Sequence, residues 1–230
     1  MQGTNRTHHI GSVIEPHMRY TADNRAILSF TLGVREEVEG RSKTAYLPVV
    51  LFGSYAEALE PLLTPSSVVE LFGRLEQSTY EDDAGKLRTN NTLIPEQLLV
   101  LVGDFDFFTD KKGQQLLIDG LNTITLSGNA TKDADLRVTN GGTKVTNLRV
   151  AVNERHGERE STLYLNVTGW EEQAEQLQGV TRGDGISVTG RLLNDSYRRG
   201  DDLIHTLTLE AVRAHALKSK KRTPVPVTDV

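Results

Sequence analysis

Apolar and polar residues alternate in short stretches along the second half of the chain, which is the pattern of strands with one buried face. The stretches span residues 123–126, 145–152, 163–167, 186–190 and 204–209. Between the third and the fourth stretch, Ala174 and Leu177 stand three residues apart and predict a short helix at 171–178. The pattern therefore predicts five strands with one helix between the third and the fourth.

The first half of the chain repeats this order at a nearly constant spacing. Matched residues lie 118 positions apart over the first part of the repeat and 117 positions apart after one gap. The matched pairs include Arg19 with Arg137, Val34 with Val152, Tyr46 with Tyr164, Phe52 with Trp170, Arg74 with Arg191 and Tyr80 with Tyr197. One spacing held over so long a stretch indicates an internal duplication.

The duplication predicts an all-β chain of two tandem OB-fold domains, each a small five-stranded barrel with one short helix. The first domain is placed at 1–103 and the second at 122–217. Between them, 104–121 is acidic and rich in aromatic residues, and its Lys-Lys-Gly sequence predicts a hairpin or an ordered linker. The basic, proline-containing stretch 218–230 is predicted to be a disordered tail.

Two prolines make the first copy the less regular one. Pro48 falls in the middle of the third strand, where its missing N–H restricts it to an edge or a bulge. Pro95 is expected to interrupt the approach to the last strand of the copy, at 97–102.

Several kinds of chemistry are missing from this 230-residue sequence. It has no cysteine, which excludes disulfides, thiolate zinc sites and cysteine nucleophiles. Its six histidines are scattered, and it contains neither a phosphate-binding loop nor a nucleophile elbow. Asp104, Asp106 and Asp110 lack a glycine at EF-hand spacing and predict a solvated acidic linker rather than a cation site. We therefore expect no enzyme, no metal and no other cofactor.

The sequence shows no signal for export or membrane insertion. It begins with polar residues, and no apolar run approaches the roughly 20 residues of a membrane-spanning helix. With the absence of cysteine, this pattern predicts a cytoplasmic protein.

The charge of the chain is unevenly distributed. The net charge is −5, from 26 basic and 31 acidic residues, and by itself this argues against a nucleic-acid partner. Residues 1–103 carry −4, 104–121 carry −2, 122–217 carry −2 and 218–230 carry +3. The second half is therefore less repulsive to a polyanion than the first.

Aromatic and basic residues recur at matched positions of the two copies. Proteins that hold single-stranded nucleic acid stack bases on aromatic faces while basic side chains follow the phosphates. The candidate stacking residues are Tyr46, Phe52, Tyr80, Tyr164, Trp170 and Tyr197. The candidate phosphate contacts are Arg74, Arg191, Arg137, Lys144, Arg149, Arg198 and Arg199. Aromatic residues on strands can also belong to the core, and this alternative stays open.

Three stretches resemble the bacterial single-stranded-DNA-binding proteins. Residues 128–137 are similar to the first strand and turn of that family, 49–57 to its third strand, and Gly73-Arg74-Leu75 to the strand that follows. The resemblance covers most of both copies, and it includes the order and spacing of the stretches. It implies that the six candidate aromatics stack on bases, since the third strand and the last hairpin of each barrel do so in the family.

The resemblance also implies an assembly and a function. Most members of the family carry one barrel per chain and form tetramers, whereas a branch with two barrels per chain forms dimers, so we expect a homodimer. We expect sequence-nonspecific binding and protection of single-stranded DNA in replication, recombination or repair.

Two departures from the family pattern favour an alternative function. Pro48 stands where the family tends to place a basic residue, and the acidic C-terminal tip that recruits other proteins is absent. With the acidic first copy, these departures favour a protein-interaction platform with weak affinity for DNA.

Overall fold

A computed structural model of the chain describes residues 3–38, 40–82, 85–156, 159–199 and 202–217. The tail predicted at 218–230 lies outside the described residues. Thirteen strands in these ranges are joined in one continuous sheet that folds into two barrels.

The first barrel contains five strands and a short helix. They are β1 (Thr4–Tyr20), β2 (Ala26–Val38), β3 (Arg41–Phe52), α1 (Gly53–Leu59), β4 (Val68–Glu81) and β5 (Leu87–Leu101), with a 3-10 turn at Glu60–Leu62 after α1. Two short strands, β6 (Phe107–Thr109) and β7 (Gln115–Leu117), then form an antiparallel hairpin, and β7 pairs with β2.

The second barrel repeats this order with one additional short strand. Its elements are β8 (Leu121–Ala130), β9 (Asp135–Val138), β10 (Lys144–His156), β11 (Arg159–Trp170), α2 (Glu172–Leu177), β12 (Gly185–Arg199) and β13 (Asp202–Leu217). Neither α1 nor α2, nor any other helix in the described ranges, is long and apolar enough to span a bilayer.

This architecture confirms the predicted fold class, with two OB domains and one short helix in each. The observed strands are longer than the predicted ones. The stretch predicted at 186–190 continues to Arg199, because its outer half pairs with β13 in a hairpin with exposed side chains at 194–198. Where both faces of a strand are exposed, apolar and polar residues do not alternate. The outer half of β12 therefore has no periodic pattern in the sequence.

Glycines kept between the repeats mark places where two strands approach closely. β4 and β12 each have an irregularity at the glycine of the repeated Gly-Arg-Leu sequence, Gly73 and Gly190. A Cβ would lie 2.2 Å from a carbonyl oxygen of the neighbouring strand at Gly73 and 2.0 Å from one at Gly190. The leucines that close the two sequences, Leu75 and Leu192, are fully buried in the barrels. In the repeated Gly-Arg-Leu sequence, the glycine thus allows the close approach of two strands and the leucine packs in the core.

Pro95 does not interrupt its strand, and the sequence prediction on this point was wrong. β5 runs through Pro95, which lies opposite Gly73 at the irregular position of β4. A bulge disrupts the hydrogen-bond ladder locally, so a residue without an N–H donor is accommodated there.

Pro48 lies where the first barrel closes. β3 pairs with β5 at one position, Val49 with Leu93, whereas the equivalent strands β11 and β13 pair at three. The second repeat has Asn166 in place of Pro48, and Asn166 begins its longer pairing. The missing N–H of Pro48 accounts for the shorter closure of the first barrel.

The two barrels are joined by an antiparallel ladder between their first strands. Residues 4–10 of β1 pair with residues 121–127 of β8. At the centre, Thr7 pairs with Ile124, and the other pairs are arranged symmetrically about this one. Equivalent residues of these two first strands lie 117 positions apart, as Asn5 and Asn122 do, so Thr7 and Ile124 are counterparts. The contact is therefore isologous within one chain, as at the twofold interface of a homodimer.

Two buried asparagines tie this ladder to the barrels. Asn5 donates from Nδ2 to the carbonyl oxygen of Leu75 at 2.7 Å and accepts at Oδ1 from the N–H of Leu75 at 3.1 Å. Asn122 makes the same two bonds to Leu192, at 2.7 and 3.0 Å. Each amide pairs with the backbone as a further strand would, so the polar groups of Leu75 and Leu192 are satisfied where β1 and β8 no longer pair with β4 and β12 in the regular way.

His9 is the least favourable residue of the ladder. Its ring is completely buried, and neither ring nitrogen has a hydrogen-bond partner in the described part of the chain. Burial lowers the pKa of His9 to about 3, and the neighbouring His8 contributes to the decrease. The equivalent position of the second repeat holds the buried Leu126, which shows that an apolar side chain fits this environment.

We expect His9→Leu to stabilise the protein against acid. Below pH 6.5 the unfolded chain binds a proton at His9, whereas the folded chain binds it only near pH 3. This residue therefore lowers the free energy of unfolding as the pH falls from 6.5 towards 3, by at most about 1.4 kcal/mol per pH unit. Urea unfolding of both proteins between about pH 7 and about pH 5 measures the difference in slope.

The reverse exchange provides the control for this prediction. Leu126→His places a second buried imidazole at the equivalent position, so it should steepen the loss of stability in acid. Equal slopes in the wild type and in His9→Leu would contradict the role assigned to His9.

Candidate nucleic-acid interface

Five of the six candidate stacking residues present their rings to solvent. The exposed fractions are 37% for Phe52, 54% for Tyr80, 42% for Tyr164, 42% for Trp170 and 48% for Tyr197. Tyr46 is half-buried. The alternative interpretation as core residues does not hold for the five exposed aromatics, whose rings are accessible to a ligand.

Tyr164 lies on β11 beside an arginine, and a residue of the first repeat forms hydrogen bonds with its backbone. The guanidinium carbon of Arg149 is 5.1 Å from the centre of the ring, which is a cation–π distance. Gln77 donates from Nε2 to the carbonyl oxygen of Tyr164 at 3.0 Å and accepts at Oε1 from its N–H at 3.3 Å. The first repeat thus positions an aromatic residue of the second.

Tyr46 occupies the equivalent position on β3, but its ring has a different neighbour. Asn194, the counterpart of Gln77, accepts from the N–H of Tyr46 at 2.7 Å and donates to its carbonyl oxygen at 2.8 Å. The hydroxyl of Tyr46 donates to Oδ2 of Asp110 at 2.6 Å, in the turn of the β6–β7 hairpin. Burial, together with this bond, raises the pKa of Tyr46 to about 12, and the bond lowers the pKa of Asp110. The backbone of the tyrosine makes the same hydrogen bonds in both repeats, but the groups next to the ring differ.

A cleft of about 460 Å³ between the repeats brings three of the candidate tyrosines together. Tyr80 enters it from the β4–β5 hairpin, Tyr164 from β11, and Tyr197 from the β12–β13 hairpin. Arg149 lines the same cleft, as does Arg88, which is bonded to Asp82. Aromatic faces beside guanidinium groups can hold a base and its phosphate at the same time.

Trp170 lies in a second groove, of about 810 Å³, which also has walls from both repeats. The walls include Arg41 and Lys43 of the β2–β3 hairpin and Val212 of β13. Phe52, the counterpart of Trp170, has a basic neighbour as well, since the guanidinium carbon of Arg25 is 5.1 Å from its ring centre.

Most of the candidate phosphate contacts form ion pairs with carboxylates. The pairs are Arg74 with Glu76, Arg137 with Asp135, Lys144 with Glu175 and Arg191 with Glu36. Arg149 faces the ring of Tyr164, and Arg198 is exposed on β12. The side chain of Arg199 lies outside the part of the chain that the structure describes. A phosphate has to compete with a carboxylate at the four paired positions, so Arg149 and Arg198 are the more accessible cations.

Arg191 is placed to join the two repeats. Its Nε lies 3.2 Å from Oε2 of Glu36 in the first repeat, and its Nη1 lies 4.0 Å from Oε1 of Glu210. Lys43 of the first repeat is also bonded to Glu210. Burial raises the pKa of Glu36, although the hydrogen bond from the N–H of Asn122 and the charges of Arg191 and Lys43 oppose the increase. The contact with phosphate assigned to Arg191 from the sequence stays a prediction.

The residues that position the tyrosines were not predicted from the sequence. Gln77 and Asn194 are ordinary polar residues on hairpin strands, and the one available signal was that they occupy equivalent positions of the duplication. Asp110 was considered as part of a solvated linker, whereas its carboxylate caps the hairpin turn and binds Tyr46. Arg88 was not selected, although it lines the cleft.

Comparison with known proteins identifies relatives that match most of the chain. The single-stranded DNA-binding protein of Thermus aquaticus is 36% identical over 224 residues, which are 91% of this chain and 84% of the relative. The corresponding protein of Deinococcus radiodurans is 28% identical over 229 residues, which are 94% of this chain and 76% of the relative. The crystal structure of the wild-type single-stranded DNA binding protein from Thermus aquaticus matches with a TM-score of 0.74 at 32% identity, over 95% of each chain.

Both repeats are also matched by one family profile. The profile of the single-strand binding protein family covers residues 4–101 and, a second time, residues 121–214. The two matches correspond to the two barrels and confirm the resemblance inferred from the sequence. The chain belongs to the single-strand binding protein family, with two domains of that family in one polypeptide.

Proposed function

We propose that this protein binds single-stranded DNA without sequence preference and protects it during replication, recombination or repair. The observation that carries the proposal is the cleft between the repeats, where Tyr80, Tyr164 and Tyr197 are exposed beside Arg149. Relatives from Thermus aquaticus and Deinococcus radiodurans are named single-stranded DNA-binding proteins, which supports it. The family is one of DNA-binding proteins and not of enzymes, in agreement with the sequence prediction.

The chemistry of the cleft favours single strands over duplex. Every base has a face that can stack on an aromatic ring, so stacking is tolerant of sequence, at about 1–3 kcal/mol per base. A duplex offers its phosphates but keeps its bases stacked on each other. Because the chain carries a net charge of −5, attraction to phosphates alone is weak, and stacking has to contribute much of the affinity. Such a protein would work in the cytoplasm, where single strands of the chromosome arise.

One observation favours the alternative of a protein-interaction platform. Four candidate phosphate contacts form ion pairs with carboxylates, which reduces the charge available to DNA. The exposed tyrosines could then serve an apolar protein surface instead. A direct measurement of DNA affinity distinguishes the two functions.

We propose further that the protein is a homodimer. The β1–β8 ladder supplies a local twofold axis within the chain, and a second twofold axis between chains would assemble four barrels. Large apolar side chains remain exposed away from the cleft, among them Leu62, Leu99 and Val102. A dimer interface would remove some of this surface from water.

We expect labelled oligo-dT to bind more tightly than a duplex of the same length. The affinity should fall with added salt, with a slope near −0.7 for each phosphate contact that releases a counterion. A titration followed by fluorescence anisotropy at two salt concentrations measures both effects. Equal affinity for duplex, or no binding at low salt, would reject the proposal and leave the platform alternative.

Trp170 offers an intrinsic probe of the second repeat, because it is the only tryptophan. We expect oligo-dT to quench its emission, and Trp170→Ala to weaken binding by about 1–3 kcal/mol, more than Phe52→Ala does. We expect the larger effect at Trp170 because the second repeat carries less negative charge than the first. Since the Trp170 ring is partly exposed, thermal melts should show a smaller loss of stability than the about 3–5 kcal/mol typical of a buried tryptophan. Unchanged emission at saturating DNA would remove Trp170 from the site.

Light scattering tests the assembly. We expect a mass of twice the 25.4 kDa of the chain, independent of concentration over the accessible range. The monomer mass at every concentration would refute the dimer and leave the DNA site of each chain unaffected.

A further inference from the structure

The two repeats place oppositely charged groups beside equivalent tyrosines. Tyr164 has the guanidinium group of Arg149 near its ring, and its hydroxyl has no hydrogen-bond partner among the described residues. Tyr46 has the carboxylate of Asp110 on its hydroxyl, at 2.6 Å. Thr31 occupies the position equivalent to Arg149, so the first repeat also lacks that cation. A difference of this kind alters the affinity of the two positions for a polyanion.

Asp110 is held in place by the hairpin that carries it. Its Oδ1 accepts from the N–H groups of Lys112 at 2.8 Å and Gln114 at 2.9 Å, which closes the turn. Its other oxygen, Oδ2, is thereby directed at Tyr46. The carboxylate is thus oriented by the turn as well as by the tyrosine.

The β6–β7 hairpin itself is fixed to the first barrel. Leu116 and Leu117 are buried, and Ser12 donates from Oγ to the carbonyl oxygen of Gln115 at 2.6 Å. The guanidinium carbon of Arg35 lies 4.0 Å from the ring centre of Phe108. These contacts make the hairpin part of the barrel surface, so the contact with Tyr46 belongs to the folded ground state.

Resting on the proposed function, we infer that Asp110 makes the two stacking positions unequal by competing with DNA at Tyr46. A base that stacks on Tyr46 brings its phosphates towards Asp110, and the resulting repulsion or the loss of the hydrogen bond lowers the affinity. DNA that binds at Tyr164 meets no carboxylate on the hydroxyl, and Arg149 attracts its phosphate. The chain therefore holds one open position, in the second repeat, and one restricted position, in the first.

Two conservative variants and two matched controls test this inference. Tyr46→Phe keeps the ring and removes the bond to Asp110, and Asp110→Asn removes the charge. Tyr20→Phe deletes an exposed tyrosine hydroxyl outside the cleft that has no described partner, and Asp104→Asn removes an equal charge from an exposed position of the same linker. The probe is oligo-dT of about 12 nucleotides, short enough for a single barrel.

Calorimetric titration of the full chain should resolve a tight and a weak site per chain in the wild type. Trp170 emission, which reports on the second repeat, should saturate with the tight site. Tyr46→Phe and Asp110→Asn should strengthen the weak site by about 2- to 10-fold, the range that corresponds to one ordinary hydrogen bond. The two control variants should leave the ratio of the sites unchanged.

Each outcome decides between the two proposals. Wild-type protein that binds no oligo-dT would overturn the proposed function. Wild-type protein that binds, with a weak site that responds alike to Tyr46→Phe and Tyr20→Phe, would overturn the role of Asp110 alone. Because Asp110 also closes the turn, thermal melts accompany the titrations, and Tyr46→Phe, which leaves the turn intact, is decisive if Asp110→Asn loosens the hairpin.

Discussion

The antiparallel pairing of β1 with β8 is the interaction on which the rest of the structure depends. Because the ladder is centred on the equivalent residues Thr7 and Ile124, the two barrels face each other across a local twofold axis. The long hairpin of each barrel then reaches the third strand of the other, where Gln77 and Asn194 hold the backbone of the opposite tyrosine. Two barrels joined by a flexible linker would bring none of these groups together.

The local symmetry is kept in the backbone and lost in a small number of side chains. Pro48 shortens the closure of the first barrel, and Asn166 permits a longer one in the second. Asp110 and Arg149 then give equivalent tyrosines opposite electrostatic surroundings. Duplication produces two barrels with the same backbone. Single substitutions at their surfaces are sufficient to give them different affinities for a charged ligand.

The duplication also explains how much could be predicted. The core positions and the bulge glycines recur at a fixed spacing, so the fold and the aromatic candidates follow from the sequence alone. The pairing of Arg191 with Glu36 could not be predicted, since the two residues meet only across the barrel interface. The outer halves of the hairpin strands were missing from the predicted strands because neither face is buried there. Pro95 was misjudged because its tolerance depends on Gly73, on a different strand.

The order in which the chain is synthesised gives the ladder a further consequence. Residues 4–10 of β1 leave the ribosome early, but their partners at 121–127 follow only after the whole first barrel and the β6–β7 hairpin. During that interval the first barrel displays an open strand edge with unpaired N–H and C=O groups, which can pair with another nascent chain. Fusing the two barrels limits this exposure, because the partner strand arrives on the same polypeptide after a fixed delay instead of by diffusion.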